Sequence, residues 1–514
     1  MQPTVASPHA PRAALAPSAD VTTIGADLRA TAIGAGVGLV VVAVVLGPLM
    51  SRGWLQLLDW PTGPRWPEVP AQWSLSSGPL FAIVTTVCRA LGGAAVGWLV
   101  PAIALVVAAT GAARVVPMRP PAALVCALAF VWNPFVLSRL YAGHVAFLLG
   151  YALLPWLARV AWHDRLRRPV VAGVLWALAC ATSVHFVWIG GLLVAAAIPS
   201  AVRARGARTA CAAFAVCTAV ALVPTALWVA TDDSAEEPGD ERVLDTFASR
   251  ADDDLGLTLG LMAQQGFWRP SPADAPRALD AWFAPLAGAV IAVAAAGLVG
   301  CERHHRRTAA TAVLSGVIAL VLAHGTAGPF GDAYRIAWRS LPGFAVMREP
   351  QKFVALISLL AALGTGLAVS TIASKATRVT AWATAIVVSG VVVAYTPTLA
   401  GGLGGHVEVS RFPESIDVVR TRIEAEDPRS VIVVPWTLYS STVPSGGRVI
   451  AAPGRALFGE DVTWSEDPDV AGLADDDDRH RAIGDVLTRA DASTIADGLR
   501  ELGVRWVIEI IDPM

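Results

Sequence analysis

Long apolar runs separated by short polar segments fill the chain as far as residue 400. A helix needs about 17–25 mostly apolar residues to cross a bilayer. The runs predict about eleven transmembrane helices, at residues 30–50, 91–112, 121–138, 143–160, 169–185, 186–201, 210–230, 282–300, 309–324, 353–372 and 379–400. Residues 169–201 could instead form one long kinked segment, because "TSVHF" is a weak divider. The apolar segment 78–90 is short and predicts an interfacial or re-entrant helix.

The composition agrees with this pattern. Of 514 residues, 55% are hydrophobic and 16% are charged, whereas soluble domains carry roughly a quarter charged residues. The predicted fold class is therefore an α-helical polytopic membrane protein. The Ala- and Pro-rich residues 1–28 predict a disordered cytoplasmic N-terminus. Because no clear A-x-A cleavage site follows the first apolar run, we interpret that run as a retained span.

Positive charge is concentrated in alternate loops. The loops after the second, fourth, sixth, eighth and tenth predicted spans are rich in Arg and hold only Asp164 and Glu302 as acids. Loops of this kind face the cytoplasm. The N-terminus is therefore predicted inside and the C-terminus outside, in a multi-pass protein of the cell membrane. The loops 51–77, 231–281 and 325–352 are then extracytoplasmic.

After residue 400 the sequence becomes soluble in character. We therefore predict a transmembrane domain over residues 29–400 and a small extracytoplasmic α/β domain over residues 401–514. Strands are predicted from the β-branched runs at 430–436 and 503–510, and a helix at 491–502. Either Asp491 or Ser493 would cap that helix, and Gly503 would end it.

Asp59 stands in "LLDWPTGPRWP", just beyond the first span and among apolar and aromatic residues. It could be an ordinary loop aspartate or a turn residue before Pro61. However, a carboxylate in such surroundings is costly unless it is paired or used. A partly desolvated carboxylate can also act as a general base towards a hydroxyl nucleophile. Asp59 is therefore the candidate catalytic residue.

A tight turn between the third and fourth spans carries Asn133, Arg139 and His144 on the predicted outer side. Pro134 and Gly143 allow the chain to reverse there. Arg139 is a cation in a turn that is too short to solvate it freely, whereas a lone His in a turn is more often structural than catalytic. No second His or carboxylate lies nearby in the sequence to suggest a metal. We assign the three polar residues to the candidate pocket.

The segment "LPGFAVMREPQKF" places Arg348, Glu349 and Lys352 at the outer end of the tenth span, against the usual charge bias. The two cations could simply extend to the interface while Glu349 pairs with one of them. The alternative is anion capture. Pro350 can occupy the first turn of the helix, and the free amides of that turn would join the two cations in holding a phosphate.

Other sequence features limit the possible chemistry. Arg250, in "FASRADDD", is interpreted first as a salt-bridge residue and is also kept as a pocket candidate. The chain contains no P-loop, G-x-S-x-G, H-E-x-x-H or clear dinucleotide fingerprint. The six cysteines lie in or beside apolar runs without C-x-x-C spacing. No metal, cofactor or nucleic-acid partner is expected.

Together these parts resemble the GT-C class of membrane glycosyltransferases and, more narrowly, the YfhO-type and similar actinobacterial membrane proteins. The resemblance covers nearly the whole chain and is carried by "LLDWPTGP", "NPFVLSRLYAGHVAFLLGYALLPW", "FASRADDDLGLTLGLMAQQGFW", "LPGFAVMREPQKF" and "LRELGVRWVIEI". It implies transfer of a sugar, with inversion, from a polyprenyl-phosphate donor to a cell-envelope glycan or lipid acceptor outside the membrane.

The resemblance also implies roles for individual residues. Asp59 would be the general base, and Arg348 and Lys352 would hold the donor phosphate. Arg139 and His144 would shape the pocket.

The first outer loop departs from the pattern of the class in one respect. Many GT-C enzymes carry two acids close together in that loop, but here Asp59 is followed only by Glu68, beyond three prolines. Asp253 or Asp332 could supply a second acid from another loop.

Two other functions remain open at this stage. A transporter or flippase of lipid-linked sugars would use the same phosphate contacts, but it needs polar residues near mid-membrane, and the spans hold few. A non-catalytic assembly or scaffold protein would not need Asp59.

Overall fold

The structure is a computed structural model that describes residues 21–50, 53–64, 86, 90, 93–229, 241–269, 280–412, 414–441, 449–451, 453–467, 477–489 and 491–510. Its larger part is helical. The helices are α1 (Val21–Val45), α2 (Gly93–Arg114), α3 (Pro120–Val131), α4 (Pro134–Tyr141), α5 (Val145–Ala158), α6 (Pro169–Thr182), α7 (Phe186–Ala195), α8 (Ile198–Arg205), α9 (Ala207–Val229), α10 (Arg242–Thr246), α11 (Gly256–Met262), α12 (Asp280–Gly300), α13 (Arg306–His324), α14 (Gly331–Ser340), α15 (Val354–Ala373) and α16 (Arg378–Tyr395).

Nine helical segments of the described chain are long and apolar enough to cross a membrane, which indicates a multi-pass membrane protein. They coincide with nine of the eleven predicted spans. The other two predicted spans coincide with shorter apolar helices, Pro169–Thr182 and Ala207–Val223. At 1.5 Å per residue α6 is about 21 Å long, which is less than the roughly 30 Å of a bilayer core.

The weak divider "TSVHF" does separate two helices. Helix α6 ends at Thr182, Ser183 is extended with φ −160° and ψ 126°, and α7 begins at Phe186. At the start of the chain, α1 begins at Val21, inside the segment predicted to be disordered. Residues 1–20 and most of 78–90 lie outside the described residues.

Close packing in the bundle depends on small residues. A Cβ atom at Gly297 of α12 would lie 1.9 Å from the carbonyl oxygen of Gly364 in α15. Only glycine permits this approach, as is usual where membrane helices pack through small residues. Helix α15 is itself buried along most of its length, so it forms the centre of the bundle.

The chain after residue 400 forms a small α/β region, as predicted. Its elements are β3 (Val409–Ser410), α17 (Ser415–Ile423), β4 (Val431–Val434), β5 (Tyr439–Ser441), β6 (Val449–Ala451), α18 (Pro453–Phe458), α19 (Asp478–Leu487), α20 (Ala492–Glu501) and β7 (Trp506–Glu509), preceded by β1 (Trp54–Leu57) and β2 (Trp60–Pro61) in the first predicted outer loop. Strands β4 and β7 pair in parallel. Asp491 caps α20 by accepting a hydrogen bond from the Thr494 amide.

Two small cores cover the two faces of β4, whereas β7 is largely exposed. Val431 and Val433 pack into one cluster with Phe458, while Ile432 packs into a second with Ile483. Burial on both faces explains why the sequence of β4 is a continuous apolar run.

The first predicted outer loop and the C-terminal region share one sheet. Its strand order is β2-β1-β3, with Trp54 opposite Ser410 and both pairings antiparallel. The Ser410 hydroxyl donates to Gln56 Oε1 at 2.6 Å, and the Ala451 amide donates to the Leu58 carbonyl at 2.7 Å. This sheet fixes the position of Asp59, which lies between β1 and β2.

Candidate active site

Asp59 lies at the tip of the β1–β2 hairpin. The pairing of Leu57 with Trp60 leaves Leu58 and Asp59 as a two-residue turn. The Asp59 amide donates to the carbonyl of Ala142 at 3.0 Å, which ties the hairpin to the turn between α4 and α5. The sheet and this contact together hold the carboxylate in place.

The turn beneath the hairpin requires glycine at position 143. Its φ of +74° is in the left-handed region, and a Cβ atom there would lie 2.7 Å from the backbone nitrogens of both Asp59 and Trp60. A side chain would therefore be strained and would also push the hairpin away. The next residue, His144, begins α5 and faces Asp59.

Two side chains hold the Asp59 carboxylate. His144 Nε2 lies 3.1 Å from Oδ2, and the Tyr439 hydroxyl donates to Oδ1 at 2.8 Å. Burial and the Asp59 charge raise the pKa of Tyr439, so the phenol remains a donor. The Asp59 side chain keeps 31% of its surface exposed and His144 keeps 17%, which leaves the carboxylate accessible.

The network continues inward from His144 to a buried arginine. Arg139 Nη1 lies 2.9 Å from His144 Nδ1 and donates to Glu349 Oε2 at 3.0 Å. A guanidinium can only donate, so His144 Nδ1 accepts and its Nε2 carries the proton that is donated to Asp59. The contacts thus select one neutral tautomer of His144.

Arg139 is fully buried in an aromatic cage. The rings of Phe135, Phe147 and Phe267 lie 5.2, 5.7 and 4.8 Å from its guanidinium carbon. Its Nε and Nη2 have no hydrogen-bond partner among the described residues. The aromatic faces therefore supply cation–π stabilisation where the other hydrogen bonds are missing.

The innermost part of the network is an ion pair. Lys352 Nζ lies 2.7 Å from Glu349 Oε1, and both side chains are almost completely buried. Burial acts to raise the pKa of Glu349, but the charges of Lys352 and Arg139 outweigh it and hold that pKa well below its usual range. Gln351 also donates to this carboxylate, at 3.2 Å.

Lys352 has one more partner on the other side. Its Nζ lies 2.8 Å from His185 Nε2, and His185 Nδ1 lies 2.8 Å from the Ser183 hydroxyl. An ammonium group only donates, so His185 Nε2 accepts and Nδ1 carries the proton. Two of the three ammonium protons are thereby used, and the third has no hydrogen-bond partner among the residues that the structure describes.

Several predicted residues therefore meet in one chain of contacts. It joins Asp59, His144, Arg139, Glu349 and Lys352 in that order, although the sequence separates the first from the last two by almost three hundred positions. The predicted pairing of Glu349 with a neighbouring cation is present, and Lys352 is the cation. Glu349 is thus a second carboxylate that is connected to Asp59, through His144 and Arg139.

The remaining predicted residues lie outside this chain. Arg348 is half-buried, with its guanidinium carbon 5.1 Å from the ring centre of Phe247. Arg250 is exposed, and its amide donates to the carbonyl of Gly266. Glu68 lies outside the described residues.

Asn133 lies at the start of α4 and is bonded to the backbone. Its Oδ1 accepts from the Val136 amide, and its Nδ2 donates to the carbonyls of Ala129 and Phe130. The Asn133 side chain therefore caps the N-terminus of α4. The Asn-Pro pair preceding an apolar run was a sequence signal for this role.

Three members of the network were missed by the sequence analysis, namely Tyr439, His185 and Gln351. No local motif marks Tyr439 or His185, because packing of distant segments brings each to the site, whereas Gln351 lies between Glu349 and Lys352 in the sequence. Within the described ranges, no three His, Cys, Asp or Glu side chains are grouped so that they could hold a metal ion.

Comparison with solved structures identifies the fold. The chain superposes on the arabinofuranosyltransferase AftD from Mycobacteria with a TM-score of 0.63 and 18% identity, over 94% of this chain and 35% of that one. A second AftD structure, carrying an arginine-to-serine substitution, gives 0.60 and 17% over 93% and 36%. The oligosaccharyltransferase of Archaeoglobus fulgidus, with Zn and sulfate, gives 0.46 and 12% over 93% and 67%.

The likeness to AftD shows a GT-C-like fold and not an activity. The chain spans about a third of the length of the AftD structures that it matches. No protein-family model matches it, and no curated protein matches it significantly.

Proposed function

We propose that this chain is an inverting membrane glycosyltransferase that moves a sugar from a polyprenyl-phosphate donor to an extracytoplasmic cell-envelope acceptor. The observation that carries the proposal is the Asp59 carboxylate, which is accessible yet fixed by His144 and Tyr439 at the tip of a hairpin. The GT-C-like fold supports it. The inside N-terminus and the narrower relation to YfhO-type proteins are parts of the same proposal.

Asp59 serves as the general base in this proposal. A carboxylate has about four lone-pair positions, and His144 and Tyr439 occupy one on each oxygen. The others can accept the proton of an acceptor hydroxyl as its oxygen attacks the anomeric carbon. The new bond forms on the face opposite the departing polyprenyl phosphate, which gives inversion.

Arg348 and Lys352 stabilise the negative charge of the leaving phosphate. Arg348 is half-buried, and no carboxylate pairs with it in the described part of the chain. Lys352 has one ammonium proton left after its bonds to Glu349 and His185. Fixed donors of this kind favour a transition state in which negative charge develops on the leaving group.

Donor binding and turnover in lipid nanodiscs test the proposal. A polyprenyl-phosphate sugar is titrated into the wild type, Asp59→Asn, Arg348→Ala and the exposed control Asp245→Asn. Loss of a general base typically lowers turnover by about 10²–10⁴-fold, so Asp59→Asn should bind donor but release little free lipid phosphate. Arg348→Ala should bind donor roughly tenfold or more weakly, and Asp245→Asn should match the wild type.

Several results would count against the proposal. Full turnover by Asp59→Asn would reject Asp59 as the general base, whereas a wild type without turnover would favour a scaffold. Equal donor binding by Arg348→Ala and the wild type would reject the role of Arg348 as a phosphate ligand. Movement of donor across the bilayer without release of lipid phosphate would identify a flippase.

A further inference from the structure

A second polar site lies at the end of the bundle opposite Asp59. Near the beginning of α2, Gly97 accepts a hydrogen bond from the Trp60 indole beside the hairpin. Arg114 is the last residue of α2, about 25 Å further along at 1.5 Å per residue. There a cavity of about 240 Å³ opens between the start of α1, the α2–α3 connection and the segment before α13. A single water needs about 10–15 Å³ of such space, so a polyatomic anion fits.

Arginines dominate the charge of the cavity. Arg114, Arg119 and Arg159 line it together with two acids, Asp27 and Glu302. The three arginines and the two acids together therefore give the lining one excess positive charge. A singly charged anion would neutralise it.

The arginines are already oriented by the protein. Asp27 accepts from Arg159 at 3.2 Å and lies 3.5 Å from Arg114. Arg159 also donates to the Arg114 carbonyl at 2.6 Å, and Arg119 donates to the Ala373 carbonyl at 2.5 Å. Contacts of this kind fix the guanidinium groups before any ligand arrives, which reduces the entropy lost on binding.

Two polar atoms of the lining lack a partner. His305 is 2% exposed, and its Nδ1 has no hydrogen-bond partner in the described structure. The same is true of the buried Nε of Arg114. Buried polar atoms are nearly always satisfied, so orphans beside a cavity indicate an occupant. Burial lowers the pKa of His305 to about 4, so its ring is neutral and can donate one proton.

We propose that this cavity binds a singly charged phosphate diester, the headgroup phosphate of an anionic phospholipid. The cavity lies where α2 ends and α3 and α13 begin, which is the depth of lipid headgroups for helices that span a bilayer. The loops on this side are the Arg-rich ones predicted to face the cytoplasm, where basic pockets between helices bind anionic lipids. The inference does not depend on sugar transfer at Asp59.

Lipid binding by the full chain tests the proposal. Protein in phosphatidylcholine nanodiscs is titrated with phosphatidylglycerol, or separately with inorganic phosphate, and bound lipid is measured by native mass spectrometry and thermal shift. The cavity variants are Arg119→Gln and His305→Phe, the latter keeping a ring but removing the nitrogen. Arg307→Gln is the matched control, because Arg307 is exposed on the same side but does not line the cavity.

Phosphatidylglycerol should bind and stabilise the wild type and Arg307→Gln alike. Loss of a charge-assisted hydrogen bond predicts affinity roughly tenfold or more weaker for Arg119→Gln, with a smaller loss for His305→Phe. If Arg119→Gln and His305→Phe melt at the wild-type temperature in pure phosphatidylcholine, both variants are folded. Equal losses in Arg307→Gln, or no preference for phosphatidylglycerol, would overturn the proposal. Equal protection by inorganic phosphate would reject the lipid as the source of the phosphate.

Discussion

Charge pairing around Glu349 determines what the buried residues of the network can do. Glu349 accepts from Arg139 and pairs with Lys352, so one carboxylate serves two buried cations. Asp59 supplies the second negative charge at the exposed end. The four charges balance, and the balance keeps two cations at a depth where single ones are costly.

Replacing Glu349 by Gln should destabilise the protein strongly. Removal of one partner of a buried pair costs about 3–5 kcal/mol, because Arg139 and Lys352 would stay buried without a counter-charge. The apparent melting temperature of detergent-purified protein measures the effect. The control Glu241→Gln removes a surface acid that pairs with Arg339, and it should change little.

The double variant Glu349→Gln/Lys352→Met separates charge balance from shape. It restores the net charge of the network, so it should be more stable than Glu349→Gln alone. If Glu349→Gln were as stable as Glu349→Gln/Lys352→Met, the balance of charge would not be what stabilises the network.

The sequence was informative about single residues of the site and uninformative about their contacts. An acid in an aromatic loop and cations on the wrong side of a span are locally conspicuous, so Asp59 and Lys352 could be identified as unusual. Their connection through Arg139 and Glu349 depends on tertiary packing. Tyr439 is an ordinary strand residue in the sequence, and only the folded hairpin brings it to Asp59.

At the scale of elements, the site depends on how closely the β1–β2 hairpin approaches the α4–α5 turn. Gly143 makes that approach possible because a side chain there would meet the backbone of Asp59 and Trp60. The two elements are far apart in sequence, and neither would hold the carboxylate alone.

Gly143→Ala should lower turnover and stability together. The matched control is Gly206→Ala, because Gly206 also has a positive φ of +83° but no atom within 4 Å of the added Cβ. An alanine in the left-handed region costs about 1–2 kcal/mol, and Gly143→Ala adds displacement of the hairpin. We expect the control to show only the smaller loss in melting temperature, with turnover unchanged. Equal effects on both measurements would mean that backbone strain alone is responsible.

The predicted helices are present where an apolar run is long enough to span a bilayer. Long apolar runs predicted the spans, because every backbone group in a bilayer must be satisfied within the helix. Helices α6 and α9 were also found, but the sequence did not indicate that α6 is shorter than a bilayer-spanning helix. Burial against neighbouring helices lets a short apolar segment persist, and a single sequence does not show those neighbours.

At the scale of the whole molecule, the C-terminal region is part of the site. Strand β3 extends the hairpin sheet, and β5 supplies Tyr439 to Asp59. The boundary predicted at residue 400 therefore separates two kinds of sequence, but contacts of the candidate site cross it.

Tyr439→Phe should lower turnover while the C-terminal region stays attached. The hydroxyl donates to a carboxylate, and hydrogen bonds to charged groups contribute about 1.5–3 kcal/mol, so turnover should fall roughly tenfold or more if that bond positions the base. The pairing of β1 with β3 is unaffected, so limited proteolysis should give wild-type fragments. Wild-type turnover would show that the contact is not used, whereas rapid cleavage would show that the hydroxyl holds the region in place.

The shared sheet also determines when during synthesis the site can be completed. Asp59 and Tyr439 are 380 positions apart, and a ribosome adds about 5–20 residues per second, so Tyr439 follows Asp59 by roughly 20–75 s. During that interval the nascent chain already has its first helix and the hairpin sequence, but neither β3 nor the phenol. A chain released before this point would carry the carboxylate with His144 beside it but without the hydrogen bond from Tyr439, so its site would be incomplete.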